Sequence, residues 1–172
     1  MNASELEWRM YGLVPYNISP IQQGIQFGHA VVEYGNQFGE TEAYKKWARH
    51  DKTFIILNGG TTNKKALSPT SEPIGTLNQH ELKLLASFPE MPVSRFEEPD
   101  LGDQLTAICF LVDERVWDRE KYPDFMYSTD AMTSHIERDM EYHEWKMAFA
   151  DNALEANRIV FLRDFLKNFR LA

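Results

Sequence analysis

Residues 18–38 read ISPIQQGIQFGHAVVEYGNQF, and the way this stretch is spaced decides how the rest of the chain is read. Ser19 suits a helix N-cap, Pro20 the first helical position, and Gln22, three residues past the cap, completes a capping box. Ile21, Ile25, Gly28 and Val32 follow steps of three and four and form an apolar side, with Phe27, Val31, Tyr34 and Phe38 beside it. Gln22, Gln26, His29 and Glu33 keep the same steps along a polar stripe. Gly24 and Gly28 each cost roughly 1 kcal/mol of helix propensity, which predicts that something packs closely against that backbone.

Working outward, Met10–Tyr16 (MYGLVPY) reads as a strand leading into this helix, with Pro15 at its end. Thr41–His50 reads as a short helix. Thr53–Leu57 (TFIIL) is a continuous apolar run, the pattern of a buried strand, stopped by Asn58-Gly59-Gly60. A long polar loop with two prolines follows, of a length that usually signals function or mobility. Thr76 with Gln79 reads as the capped start of a helix to about Ser87, and Val93–Glu97 and Leu105–Val112 read as strands joined by the acidic turn EEPDLGDQ. This alternation predicts an α/β fold in which a small four-stranded mixed sheet is flanked by helices. Beyond Asp113 the chain reads as a helical C-terminal extension, either one long helix or two with a break near Asp151-Asn152. The expected division is therefore 1–113 for the α/β domain and 114–172 for the extension. The extension's apolar residues, among them Met132, Ile136, Met140, Leu154, Ile159, Leu162, Phe165, Leu166 and Phe169, are too many for exposed helices. They predict burial on the sheet or across the two-fold axis of a homodimer, or a protein partner.

The 172 residues, 43% hydrophobic and 13% aromatic, supply one domain with a real core. The single cysteine, Cys109, permits no intramolecular disulfide and no Cys-based zinc site, and in its apolar surroundings it reads as packed and inert. No run approaches the ~18 apolar residues of a membrane span, and MNASELEWRM carries no signal-peptide core, so a cytoplasmic protein is expected. A net charge of −8 argues against a general nucleic-acid coat. Lys45, Lys46, Arg49, Lys52, Lys64 and Lys65 form a local basic group able to steer RNA, although such groups are more often a solvated face. His135, Asp139 and His143 stand at steps of four, a metal-compatible spacing, but among Glu137, Glu141 and Glu144 they read as charged surface. No metal and no cofactor is expected.

The order of elements, with GIQFGHAVVEY directly after the first strand, resembles the type 2 peptidyl-tRNA hydrolase family over about residues 8–113. Gln26, His29 and Ala30 match that family's Gln-x-x-His-Ala run, and YKKWARHDKTFIIL resembles its Trp-containing helix and second strand. Asp100-Leu101-Gly102 resembles its Asp-x-Gly turn, and Thr106 the threonine opening its last strand. The resemblance implies a small mixed sheet flanked by helices and metal-independent hydrolysis of the ester joining a peptide to the 3′ end of tRNA. It implies His29, Asp100 and Thr106 as catalytic residues, with Gln22, Gln26, Lys45, Lys46 and Arg49 meeting the substrate. Asp100 would act as base, His29 would bind the terminal nucleotide or orient water, and Thr106 or Gln26 would donate a hydrogen bond. The family's Lys-Gly-Lys run falls here on Pro20-Ile21-Gln22, and Asp103 adds a second carboxylate beside Asp100. The competing expectation is a member of the fold without the chemistry, an accessory module that binds protein or RNA.

Overall fold

The computed structural model describes residues 5–64, 66–67, 72–126 and 134–172; Lys65 and Met132 lie outside them. The strands are β1 (Trp8–Val14), β2 (Thr53–Asn58), the two-residue β3 (Ala66–Leu67) and β4 (Pro73–Ile74), β5 (Ser94–Glu98) and β6 (Gln104–Asp113). The helices are α1 (Pro20–Phe38), α2 (Glu42–Lys46), α3 (Thr76–Ser87), the single turn α4 (Glu114–Trp117), α5 (His135–Met147) and α6 (Ala153–Leu166). The main sheet is ordered β2-β1-β6-β5. β1 and β2 run parallel, and β6 lies antiparallel to both β1 and β5, so the sheet is mixed as expected. β3 and β4 form a separate ribbon inside the long polar loop.

The strand directions define two ends. Val14, Asn58, Glu98 and Gln104 mark the upper end; Trp8, Thr53 and Asp113 mark the lower. α1 leaves the upper end and runs back over one face, while α3 and α6 cover the other. On the α1 face, Trp8, Met10, Val14, Ala107, Cys109 and Leu111 meet Phe27, Ala30, Tyr34 and Trp47. On the opposite face, Leu13, Ile108, Phe110 and Val112 meet Leu77, Leu84, Ile159, Leu162 and Phe165. Gly12 sets the first contact: a Cβ there would lie 2.2 Å from the Phe27 ring, so only glycine lets α1 come this close to β1.

α1 starts as its sequence predicts. The Ser19 side chain accepts from the Gln22 N–H, and the Gln22 side chain accepts from the Ser19 N–H. Its orientation corrects the reading of its faces. The buried residues are Gln26, Phe27, Ala30 and Tyr34, whereas Ile21, Ile25 and Val32 are exposed. A Cβ on Gly24 or Gly28 would meet nothing within 4 Å, so no described element packs against that backbone. The start of α3 is also corrected. Gly75 is its N-cap and has no side chain to cap with, while the Thr76 hydroxyl is turned away to accept the Thr61 N–H at 2.7 Å.

Among the described residues the extension carries α4, α5 and α6; the chain breaks between α5 and α6, and Asn152 caps α6. Ile159, Leu162 and Phe165 are buried against the sheet, and each such side chain stabilises by ~1.5–3 kcal/mol. Ile136 and Met140 on α5 and Leu154 at the start of α6 stay exposed, so the expected burial of the whole stripe fails within one chain. The last residues then cover the open edge of β2: Asn58 N–H donates to Arg170 O and Ala172 N–H to Ile56 O. The other edge, β5, carries Arg95 and Glu97, charges that discourage edge-to-edge pairing. Among the described residues no helix is long and apolar enough to cross a membrane.

Candidate functional site

A polar relay at the upper end joins α1 to the β5–β6 hairpin, and a β-bulge creates it. Phe96 pairs with Ala107 but Glu97 pairs with Leu105, so Thr106 is the extra residue. One inserted residue reverses the alternation of the strand. Leu105 therefore joins the α3 face, and Thr106 turns its hydroxyl toward α1. That hydroxyl donates to Gln26 Oε1 at 2.9 Å, with Phe96 O a second acceptor at 3.3 Å. Gln26 Nε2 donates to Glu98 Oε2 at 2.6 Å. Glu98 Oε1 in turn accepts from the Asp100 N–H at 3.4 Å, which caps the short 3-10 turn Pro99–Leu101. A buried amide needs partners for both its carbonyl and its NH2 group, and Gln26 finds them on two different strands.

This relay holds an accessible ledge. His29, one turn along α1 from Gln26, is exposed and stacks its ring on Phe96, with centroids 4.4 Å apart and planes within 15°. Asp100 is exposed on the turn, and Gly102 and Asp103, both at positive φ, close the hairpin behind it. Aspartate is among the few side chains that tolerate that conformation. The structure thus links Gln26, Thr106 and the Asp100 turn through hydrogen bonds and sets His29 on the neighbouring Phe96. Thr106 is fully buried and Gln26 nearly so, which makes them supports, while His29, Asp100 and the half-exposed Glu98 are the groups that face outward.

The other proposed contacts stand elsewhere. Lys45, Lys46 and Arg49 lie on α2 and the π-helical turn Trp47–Asp51 just before β2 begins, hence at the lower end. Lys45 pairs with Glu40 at 3.1 Å and Glu42 at 3.6 Å; its hydrogen bond to Glu40 raises its pKa. Lys46 pairs with Asp51, whose carboxylate also accepts the Trp8 N–H. Arg49 and His50 remain exposed along an open groove of about 420 Å³ shared with Glu42. Gln22 sits at the upper end, but its carbonyl is engaged in the capping box. Pro20 has no N–H and the Gln22 N–H is taken by Ser19, so the start of α1 offers an anion few free donors.

Glu98 and Phe96 went unread in the sequence. Within the acidic turn EEPDLGDQ the resemblance points to Asp100, with Asp103 beside it, and only the bulge reveals that Glu98 is the carboxylate that reaches Gln26. A signal was present: a glutamine among the buried positions of a helix requires partners, and an acid just before Pro99 is a natural cap for the turn. Among the described residues no group of three His, Cys, Asp or Glu side chains is placed to hold a metal. Cys109 is buried, with its thiol 3.0 Å from Ser94 Oγ. Burial pushes the Cys109 pKa up to about 12, against the opposing Ser94 hydrogen bond, and keeps the thiol protonated and inert. No protein-family model matches the chain, and no curated protein sequence matches it significantly.

Proposed function

We propose that this protein hydrolyses the ester between a peptidyl or N-blocked aminoacyl group and the 3′ end of tRNA, using the ledge formed by Asp100 and His29. The observation that carries the reading is the Thr106–Gln26–Glu98 relay. It ties α1, which carries His29, to the backbone of the turn that carries Asp100. Asp100 takes a proton from water, and the resulting hydroxide oxygen attacks the ester carbonyl. The bond to the ribose 3′ oxygen then breaks, and that oxygen receives the proton. His29, flat on Phe96, presents a ring face to the terminal base or orients the water. Glu98 is a positioning residue that acts through Gln26 and the Asp100 N–H.

The test is incubation of the purified chain with N-acetyl-aminoacyl-tRNA, following release of the acylated amino acid. Wild type should release it, and Asp100→Asn should slow release by roughly 10²–10⁴-fold with an unchanged circular dichroism spectrum. Wild type that leaves the ester intact would refute hydrolysis. A second reading is favoured by the engagement of Gln26 and Thr106 inside the protein and by Pro20-Ile21-Gln22 in place of a lysine-bearing run. In that reading the ledge binds the tRNA end and leaves it uncut, and the same assay would recover intact substrate bound to the chain.

A further inference from the structure

A second groove opens at the upper end on the other side of the sheet, outside the carboxyl ends of the parallel strands β1 and β2. In open α/β sheets, ligands bind in crevices placed this way. α1 and α3 leave this end toward opposite faces. The groove, of about 470 Å³, gathers Tyr16 from the β1–α1 loop, Asn58 and Thr61 after β2, Thr76 from α3, and Arg170 from the last residues. Four segments distant in sequence meet here.

Its charge is unlike that of the rest of the molecule. In a chain of net charge −8, no Asp or Glu lines it. The groove between α3 and α6 carries Glu90, Asp151 and Glu155; the one on α2 carries Glu42; the one on α5 carries Asp139 and Glu144. Arg170 makes no ion pair or hydrogen bond through its side chain with the described residues. Its backbone carbonyl, bonded to the Asn58 N–H, holds the residue at the groove. The Gly59-Gly60 turn brings the chain close to the start of α3. Gly60 has φ +98, and a Cβ there would fall 2.0 Å from Thr76 Oγ1, so only glycine keeps this wall tight. With Gly75 as N-cap, no side chain occupies the first amides of α3. At the rim the Tyr16 ring is 58% exposed while its backbone N–H is fixed on Gly60 O.

We propose that this groove binds the phosphate of a nucleotide unit, with Arg170 and the uncapped amides at the start of α3 on the phosphate and the Tyr16 ring against the base. The chemistry is that of a guanidinium and neutral donors meeting a phosphate without a competing carboxylate, beside an aromatic face able to stack. The proposal is independent of ester hydrolysis at the Asp100 ledge.

The experiment titrates the full chain with AMP, adenosine and inorganic phosphate, following amide resonances by NMR. AMP should bind saturably, shift Gly60, Thr61, Leu77 and Arg170, and bind more tightly than adenosine. Arg170→Glu, which leaves the backbone pairing intact, should weaken AMP by about tenfold or more and leave adenosine unchanged. Tyr16→Ala should weaken AMP and adenosine alike and leave inorganic phosphate unchanged. A short 5′-phosphorylated oligonucleotide binding more tightly than AMP would identify the unit as part of a strand, and the reverse as a free nucleotide. Three results would overturn the proposal: no saturable AMP binding, AMP and adenosine binding equally, or Arg170→Glu binding AMP as wild type does.

Discussion

The upper and lower ends of the sheet both carry buried polar networks, and they are built on opposite principles. At the lower end the network is ionic and largely buried, with the half-exposed Asp124 standing 3.3 Å from Arg163. Arg115, 2% exposed, is held by Asp113 at 2.8 Å and Glu155 at 2.9 Å and donates to Phe149 O. Arg163, equally buried, donates to Arg115 O at 2.9 Å and Tyr122 O at 2.8 Å. Every element in it, from β6 and α4 to α6, is tied to the others, and its purpose is to seat the tail. At the upper end the relay has neutral links, Thr106 and Gln26, and ends in carboxylates that lead outward. A cluster that fixes architecture closes on itself. One that serves a ligand keeps a face to solvent.

The comparison is broken most directly by removing Arg163. Arg163→Met keeps the apolar stem but leaves the buried carbonyls of Arg115 and Tyr122 without their donor. Stability in urea denaturation should fall by about 1–3 kcal/mol for each of these two buried carbonyls left unpaired. A loss below about 1 kcal/mol would mean that the apolar contacts of Ile159, Leu162 and Phe165 seat α6 by themselves.

At the upper end the corresponding change is smaller. Thr106→Val preserves shape and deletes the donor to Gln26, leaving one buried amide oxygen unpaired. The expected cost is about 1–3 kcal/mol, and the Asp100 turn, tied to Gln26 through Glu98, should gain mobility in amide exchange. A variant as stable as wild type with the turn equally protected would show that the bulge, not the relay, positions the hairpin.

What the sequence disclosed follows the range of the interactions. The Ser19–Gln22 capping box is local, and it is where the spacing put it. The apolar run TFIIL marked a strand and the α1 periodicity the first helix, but the strand is not the buried one expected: β2 is the edge of the sheet, with Phe54 exposed and Leu57 alone buried. The facing of α1 was not legible, because two apolar stripes lie side by side on it. Which one is buried depends on Gly12 across from Phe27, a contact between separate elements. Glu98 stayed hidden because its role depends on the one-residue register shift at Thr106. The separation of Lys45, Lys46 and Arg49 from the ledge follows from topology. In a parallel pair the segment just before β2 lies at the end opposite to where β1 finishes, and no local pattern carries that. Nothing local singles out Arg115 and Arg163, since spacing does not show a guanidinium its buried carbonyls.

The finest distinction between the two ends is their response to acid, and Glu155 provides it. Burial works to raise the Glu155 pKa, but the Asp151 N–H and the Arg115 guanidinium outweigh it and hold the carboxyl below its ordinary value. A carboxyl with its folded pKa below the unfolded value of about 4.3 adds stability above that value, which is lost as pH falls through the folded pKa. Glu155→Gln should therefore be less stable than wild type at neutral pH, and the gap should close as the medium is acidified from about pH 5 downward. The measurement is urea denaturation of both proteins across that range. A gap that stays constant or widens on acidification would show that Glu155 acts through packing or as the acceptor for Asp151, and not through its charge on Arg115. In that case the lower end would be held by shape in the same way as the upper, and the contrast between an ionic seat and a neutral relay would fall.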